Sequence, residues 1–179
     1  IGVDVFFVIS GFLITSIIIK DLKAGTFHFG YFLTRRIRRL YPAMLCVLSL
    51  YLLAGYFLFL PDDFLELARE VALSQVYVIN FYFWRTVDYF GLQADSVPLL
   101  HMWSLAVEEQ FYIFFPIFCL LIWKKKPSAL LPALVLATLA SFLLGLVMSS
   151  WKPWASFYLL PTRAWELLAG CVLAIVFPR

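Results

Sequence analysis

Four long, predominantly apolar runs constrain this chain more than any other feature: residues 3–19, 40–60, 103–123 and 130–148. A helix rises about 1.5 Å per residue, so each run suffices to cross most or all of the roughly 30 Å of bilayer hydrocarbon. A fifth run, 165–177, is shorter and reads as a span that is cut or that continues beyond it. Continuous runs argue against a closed β-barrel, whose strands alternate. Composition agrees: 64% of residues are apolar and 14% charged, where soluble domains sit near one half and one quarter. The aromatic content of 19% suits helices bordered by interfacial belts. The expected fold is therefore all-α, a polytopic membrane helix bundle with about five spanning helices.

Charge placement orients it. Lys20, Lys23, Arg35, Arg36, Arg38 and Arg39 fall between the first two runs, and Lys124, Lys125 and Lys126 follow the third. The positive-inside rule assigns both segments to the cytoplasm. Two runs, 40–60 and 103–123, already supply the even number of crossings between them. The mixed segment 64–84, with Glu66, Arg69, Glu70, Ser74, Gln75 and Asn80, is then interfacial or re-entrant. The opposite face would carry residues 61–63, 85–100 and 149–162 as loops capping the bundle. Cys46, Cys119 and Cys171 lie in apolar stretches without CxxC spacing and read as small buried residues, with no disulfide or metal site. A single domain over 1–179 is expected, truncated at both ends, since Ile1 already lies in an apolar run with no signal-peptide pattern before it. The partner expected from composition is the lipid bilayer; no nucleic-acid partner is expected.

Three constellations carry candidate chemistry. Arg35, Arg36, Arg38 and Arg39 crowd four guanidiniums into five positions, and on a helix 35, 36 and 39 share a face. Such a face can grip phosphates in bidentate fashion, coenzyme A being a natural cytoplasmic ligand. Basic residues beside a span also simply set topology or bind anionic lipid. The second constellation is His101–Tyr112. His101, Ser104, Glu108 and Tyr112 form one stripe, with Trp103 and Gln110 beside it. Ionisable groups at membrane depth line polar cavities or pair with one another. Glu108 is the cavity-facing candidate, and Glu109 a partner for an arginine of another helix. An N-terminal role, with Ser104 as a cap and acids complementing the macrodipole, is the alternative. In the third, Arg163 and Glu166 stand three apart at the opening of the last run and read as structural, paired with each other or with neighbouring helices. Asp4 reads as an edge residue in the headgroup region, and Ser10-Gly11 as a small-residue step for close helix packing.

Taken together, these blocks resemble the acyltransferase-3 family. The matching stretches are Gly2–Ile14, with Asp4 and Ser10; Arg35-Arg36-x-x-Arg39-Leu40-x-Pro42; His101-x-Trp103-Ser104-Leu105-x-Val107-Glu108-Glu109-Gln110-Phe111-Tyr112; and Thr162–Gly170, with Arg163 and Glu166. Their order and spacing fit across essentially the whole chain, most like the O-antigen and peptidoglycan O-acetyltransferase members. The resemblance implies a multi-pass enzyme of the bacterial inner membrane. Such an enzyme takes an acyl group, usually acetyl, from cytoplasmic acyl-CoA to a hydroxyl on an extracytoplasmic glycan or lipid-linked sugar. It implies acyl-CoA as co-substrate, with no permanently bound cofactor and no metal. It assigns Arg35, Arg36 and Arg39 to the acyl-CoA phosphates. His101, Ser104 and Glu108 would line the catalytic cavity, and Asp4, Ser10, Trp103, Glu109, Arg163 and Glu166 would shape it. The family's proposed catalytic His belongs to a span that would precede Ile1. Two other classes fit intramembrane charge as well: a transporter or flippase of a polar substrate, and a membrane scaffold with degenerate motifs.

Overall fold

The computed structural model describes residues 2–86 and 97–177, so the expected cap at 85–100 lies largely outside the described residues. Its elements are α1 (Gly2–Lys23), α2 (Phe29–Leu58), α3 (Pro61–Gln75), α4 (Ile79–Thr86), α5 (Met102–Lys125), a 3-10 turn (Pro127–Ala129), α6 (Leu130–Trp151), α7 (Pro153–Tyr158) and α8 (Leu160–Val176). Among the described residues, five stretches are long and apolar enough to cross a membrane: Gly2–Lys23, Phe29–Leu58, Met102–Lys125, Pro127–Trp151 and Pro153–Val176. The all-α polytopic class is the one the runs called for.

Three boundaries differ from expectation. The second helix starts at Phe29, not residue 40, so the arginines lie inside it rather than in a loop. Arginine is a good helix former and nothing between Phe29 and Leu40 breaks the helix. Thirty residues make about 45 Å of helix, some 15 Å more than the hydrocarbon, a length that lets one end of α2 reach beyond it. The last helix starts at Leu160, with Pro161 in the first turn where its missing N–H is harmless. The stretch 149–162, expected as loop, is thus mostly helix. Segment 64–84 splits into α3 and α4, both too short to span. The break is a left-handed cap at Tyr77 (φ 55°). Its N–H donates to Ser74 O at 3.1 Å, and Val78 N–H to Leu73 O at 3.1 Å.

Two compact units divide the chain, Ile1–Phe29 with Glu108–Arg179, and Gly30–Val107. In the first, α8 packs against both α1 and α6. Its contact with α1 runs backbone to backbone. A Cβ added at Gly11 would collide with the Leu167 carbonyl, and one at Gly170 would meet Val8 O and stand 2.8 Å from Phe12 N. The Ser10-Gly11 step thus serves the close packing its composition suggested. Phe7, Ile14, Ile18, Leu167, Cys171 and Ala174 are buried in this unit. On the other side of α8, Ser141 of α6 enters the first turn. Its hydroxyl donates to Pro161 O at 2.7 Å and accepts from Trp165 N–H at 2.9 Å, linking two backbone groups one turn apart.

The second unit sets α2 against α3. Gly55 leaves room there for Leu67, whose Cδ2 would stand 2.5 Å from a Cβ added at that glycine, and Tyr56 meets Phe64 edge-on at 6.1 Å. Met44, Leu48, Leu67, Val71, Ile79, Phe83 and Leu99 are buried here. Leu45, Val47, Leu50 and Leu53 of α2 remain exposed, as on a face turned to acyl chains. Cys46 shares that exposure, contrary to the expectation that all three cysteines are buried; Cys119 and Cys171 are. An apolar run sets membrane depth, not which face of its helix meets protein.

Candidate functional site

The arginine cluster occupies the N-terminal turns of α2. Helical spacing does bring positions 35, 36 and 39 to one face. Arg35, Arg38 and Arg39 are exposed and Arg36 half-buried. The Arg35 guanidinium lies 4.8 Å from the Tyr31 ring centroid, a cation–π contact that restrains it.

In the same unit, His101 immediately precedes α5 and is exposed, its ring 6.4 Å from that of Tyr51 on α2. Ser104 Oγ donates to His101 O at 3.1 Å. The hydroxyl therefore donates backwards to a carbonyl, where an N-cap side chain would accept an amide N–H. Trp103 is 2% exposed.

Further along α5, in the first unit, Glu108 and Glu109 are 4% and 5% exposed, so burial does not separate them. Tyr112 O–H donates to the Glu108 carboxylate one turn back, within the expected stripe. A buried carboxylate held by a phenol is oriented as well as stabilised.

The α1–α8 junction holds an ion cluster that the sequence only half disclosed. Arg163 Nη2 reaches Asp4 Oδ1 at 2.7 Å, and Arg163 Nε lies 3.3 Å from Glu166 Oε1. Rings of Phe157 and Phe7 flank the guanidinium at 5.4 and 6.0 Å. The 163–166 pair was legible from its spacing. The bond to Asp4 was not, since 159 positions separate the partners. Glu166 is 1% exposed, so Arg163 compensates a carboxylate almost wholly out of solvent. Ser10, also on α1, is buried.

Glu70 is the residue that sequence reasoning passed over. It lies on α3 among Leu67, Val71 and Ser74, the buried face of that helix, and is 5% exposed. One turn on, Ser74 is buried too. Neither Glu70 Oε2 nor Ser74 Oγ has a hydrogen-bond partner among the described residues. Burial pushes the Glu70 carboxyl up to about 7, against a bond from the Leu99 backbone that lowers it and with the charge of Glu66 adding to the rise. Glu70 thereby ties α3 to the segment two residues ahead of His101. Its signal was a carboxylate at a core position of an i, i+3, i+4, i+7 pattern.

These blocks can be set against known proteins. An acyltransferase-domain family model, that of acyltransferase-3, matches residues 1–179. The chain belongs to the acyltransferase-3 family. An uncharacterized protein of Haemophilus influenzae is 38% identical over 179 residues, covering 96% of this chain and 73% of that protein. The peptidoglycan O-acetyltransferase OatA of Listeria monocytogenes is 38% identical over 184 residues, 99% of this chain and 29% of the relative. The O-acetyltransferase OatA of Staphylococcus aureus is 37% identical over 183 residues, 99% and 30% respectively. The chain thus spans about three tenths of the OatA relatives. No solved structure matches. Family membership and the five stretches among the described residues that are long and apolar enough to cross a membrane make this a multi-pass membrane chain of acyltransferase type, as the four blocks implied.

Proposed function

We propose that this chain is the membrane part of an O-acetyltransferase of the bacterial inner membrane. It moves an acetyl group from cytoplasmic acyl-CoA to a hydroxyl of an extracytoplasmic glycan, with peptidoglycan the first acceptor to test. The observation that carries the reading is the family match over all of residues 1–179, with relatives named as O-acetyltransferases.

Each block has work suited to it in this reading. Arg35, Arg36 and Arg39 present guanidiniums on a stretch of α2 that need not lie in hydrocarbon, and would bind the phosphates of acyl-CoA. His101 and Ser104, at the entrance of α5, would orient the acceptor hydroxyl. Glu108, held in orientation by Tyr112, would supply a fixed carboxyl group to the site. In the reaction the hydroxyl oxygen attacks the thioester carbonyl, its proton passes to a base, and the C–S bond breaks to release the coenzyme A thiol. A donor to the carbonyl oxygen stabilises the developing oxyanion. Trp103 and Glu109 are buried on α5 beside these groups, and the Asp4–Arg163–Glu166 cluster fixes α1 against α8.

Deleting the full gene and measuring base-labile acetate on purified peptidoglycan tests the proposal. Loss of acetate, restored by the wild-type gene, is expected. Unchanged acetate on peptidoglycan and on every other surface glycan sinks it.

A further inference from the structure

One cavity in the first unit plays no part in the acyl-transfer site. It encloses about 210 Å³ where α1, α5 and α8 end and α6 begins. Ile19, Leu131 and Ile175 supply apolar wall, while Lys23, Trp123 and Ser128 are its polar members. Lys23, Trp123 and Ser128 each carry a hydrogen-bond donor, and no acidic residue lines the space. Such a pocket takes an anion attached to something apolar. A fully polar solute would leave the apolar wall wet, and a lipid of no net charge is attracted to this lysine-rich end less than an anionic one.

Position narrows the ligand further. Three helix C-termini and one N-terminus meet here, so the cavity lies at the end of the spans. Lys20, Lys23, Lys124, Lys125 and Lys126 crowd the adjoining segments, against the single acid Asp21. By the positive-inside rule this is the cytoplasmic face. Basic pockets between helices at that depth suit the headgroups of anionic lipids, and a tryptophan belongs at the same level. From the cavity, Leu131, Val135 and Leu139 recur every four residues along α6, the latter two exposed, a row on which an acyl chain can lie.

We propose that this cavity is a binding site for an anionic phospholipid of the cytoplasmic leaflet, its phosphate held by Lys23 and Ser128 beside Trp123 and its chain laid along α6. The site stands whether or not the acyl-transfer reading holds.

Native mass spectrometry of the full-length protein tests it, with dioleoyl phosphatidylglycerol and dioleoyl phosphatidylcholine supplied in equal amounts. Phosphatidylglycerol should be retained several-fold over phosphatidylcholine. Lys23→Gln should cut that retention about fivefold, the effect of one lysine near an anionic headgroup. Lys126→Gln, a neighbouring lysine outside the lining, should change it less than twofold. Ser128→Ala, a small change at an exposed position, should weaken retention and supplies the readout if Lys23→Gln fails to fold. Equal retention of both lipids overturns the proposal. So does an equal effect of the two lysine variants, which would mean diffuse surface attraction. Displacement of the lipid by 10 mM inorganic phosphate (about a hundredfold excess over the lipid) would reassign the cavity to a soluble phosphate compound and overturn it as well.

Discussion

Replacing Glu70 by Gln should flatten the pH dependence of stability in a defined window. The side chain is 5% exposed, and burial raises its carboxyl from 4.5 to about 7. Between those values the folded protein holds a proton that the unfolded chain has released. Stability therefore falls as pH rises through the window and levels off above about 7. A gap of about two and a half units corresponds to roughly 3 kcal/mol, the whole of it felt by pH 8 and little of it at pH 4.5. At roughly 2–4 °C per kcal/mol for a protein this size, the melting point should drop by roughly 10 °C from this group alone. Glutamine keeps the oxygen that accepts the Leu99 bond but cannot ionise. The assay is tryptophan-fluorescence melting of full-length wild type and Glu70→Gln in the same detergent at pH 5 and 8. Other titrating groups contribute equally to both proteins and cancel in the difference. Wild type should lose several degrees more than the variant. Equal losses would show that Glu70 is already ionised or solvated, and the buried-acid reasoning would be wrong.

Two further perturbations probe the α1–α8 junction. Gly170→Ala places a Cβ against Val8 O and 2.8 Å from Phe12 N, both backbone atoms that cannot swing away, and should cost about 1–3 kcal/mol. Gly2→Ala, with nothing within 4 Å, should be neutral; comparable losses in folded yield for the two would contradict the packing described. Arg163→Ala leaves Glu166 buried without its cation and should destabilise by about 3 kcal/mol, much of it recovered by adding Glu166→Gln. Asp4→Asn should do less, because the Asp4 side chain is 41% exposed. Thermal melting of these charge variants decides the ranking, and a double variant no better than Arg163→Ala would refute the charge argument.

The spans were legible because desolvating a long polar run in hydrocarbon is so costly that hydropathy alone locates α1, α5 and α6. Hydropathy fails where a helix outruns the membrane. Charge marks the edge of the bilayer, so sequence alone puts the arginine turns of α2 in a loop, whereas the helix continues wherever backbone hydrogen bonds do. It fails again in α8, where Arg163 and Glu166 neutralise each other and the helix starts earlier than its apolar run. The Glu108–Tyr112 stripe was legible since both lie on one helix and follow its period. Asp4 with Arg163 was not, because nothing in local sequence records which distant helix a charge will meet. Glu70 escaped for a related reason: on α3 it is one acid among Asp62, Asp63 and Glu66, and only tertiary burial sets it apart.

Acyl transfer from a cytoplasmic donor is tested most directly in membrane vesicles carrying the full-length protein. Acetyl-CoA labelled with ¹⁴C on the acetyl group is supplied to inside-out and right-side-out preparations containing acceptor glycan. Label should reach the glycan only in inside-out vesicles, and Arg36→Ala with Arg39→Ala should reduce transfer at least about tenfold, mainly by raising the KM for acetyl-CoA. Labelling from the opposite face, or an unchanged KM in the double variant, would contradict both the donor side and the role given to the arginines.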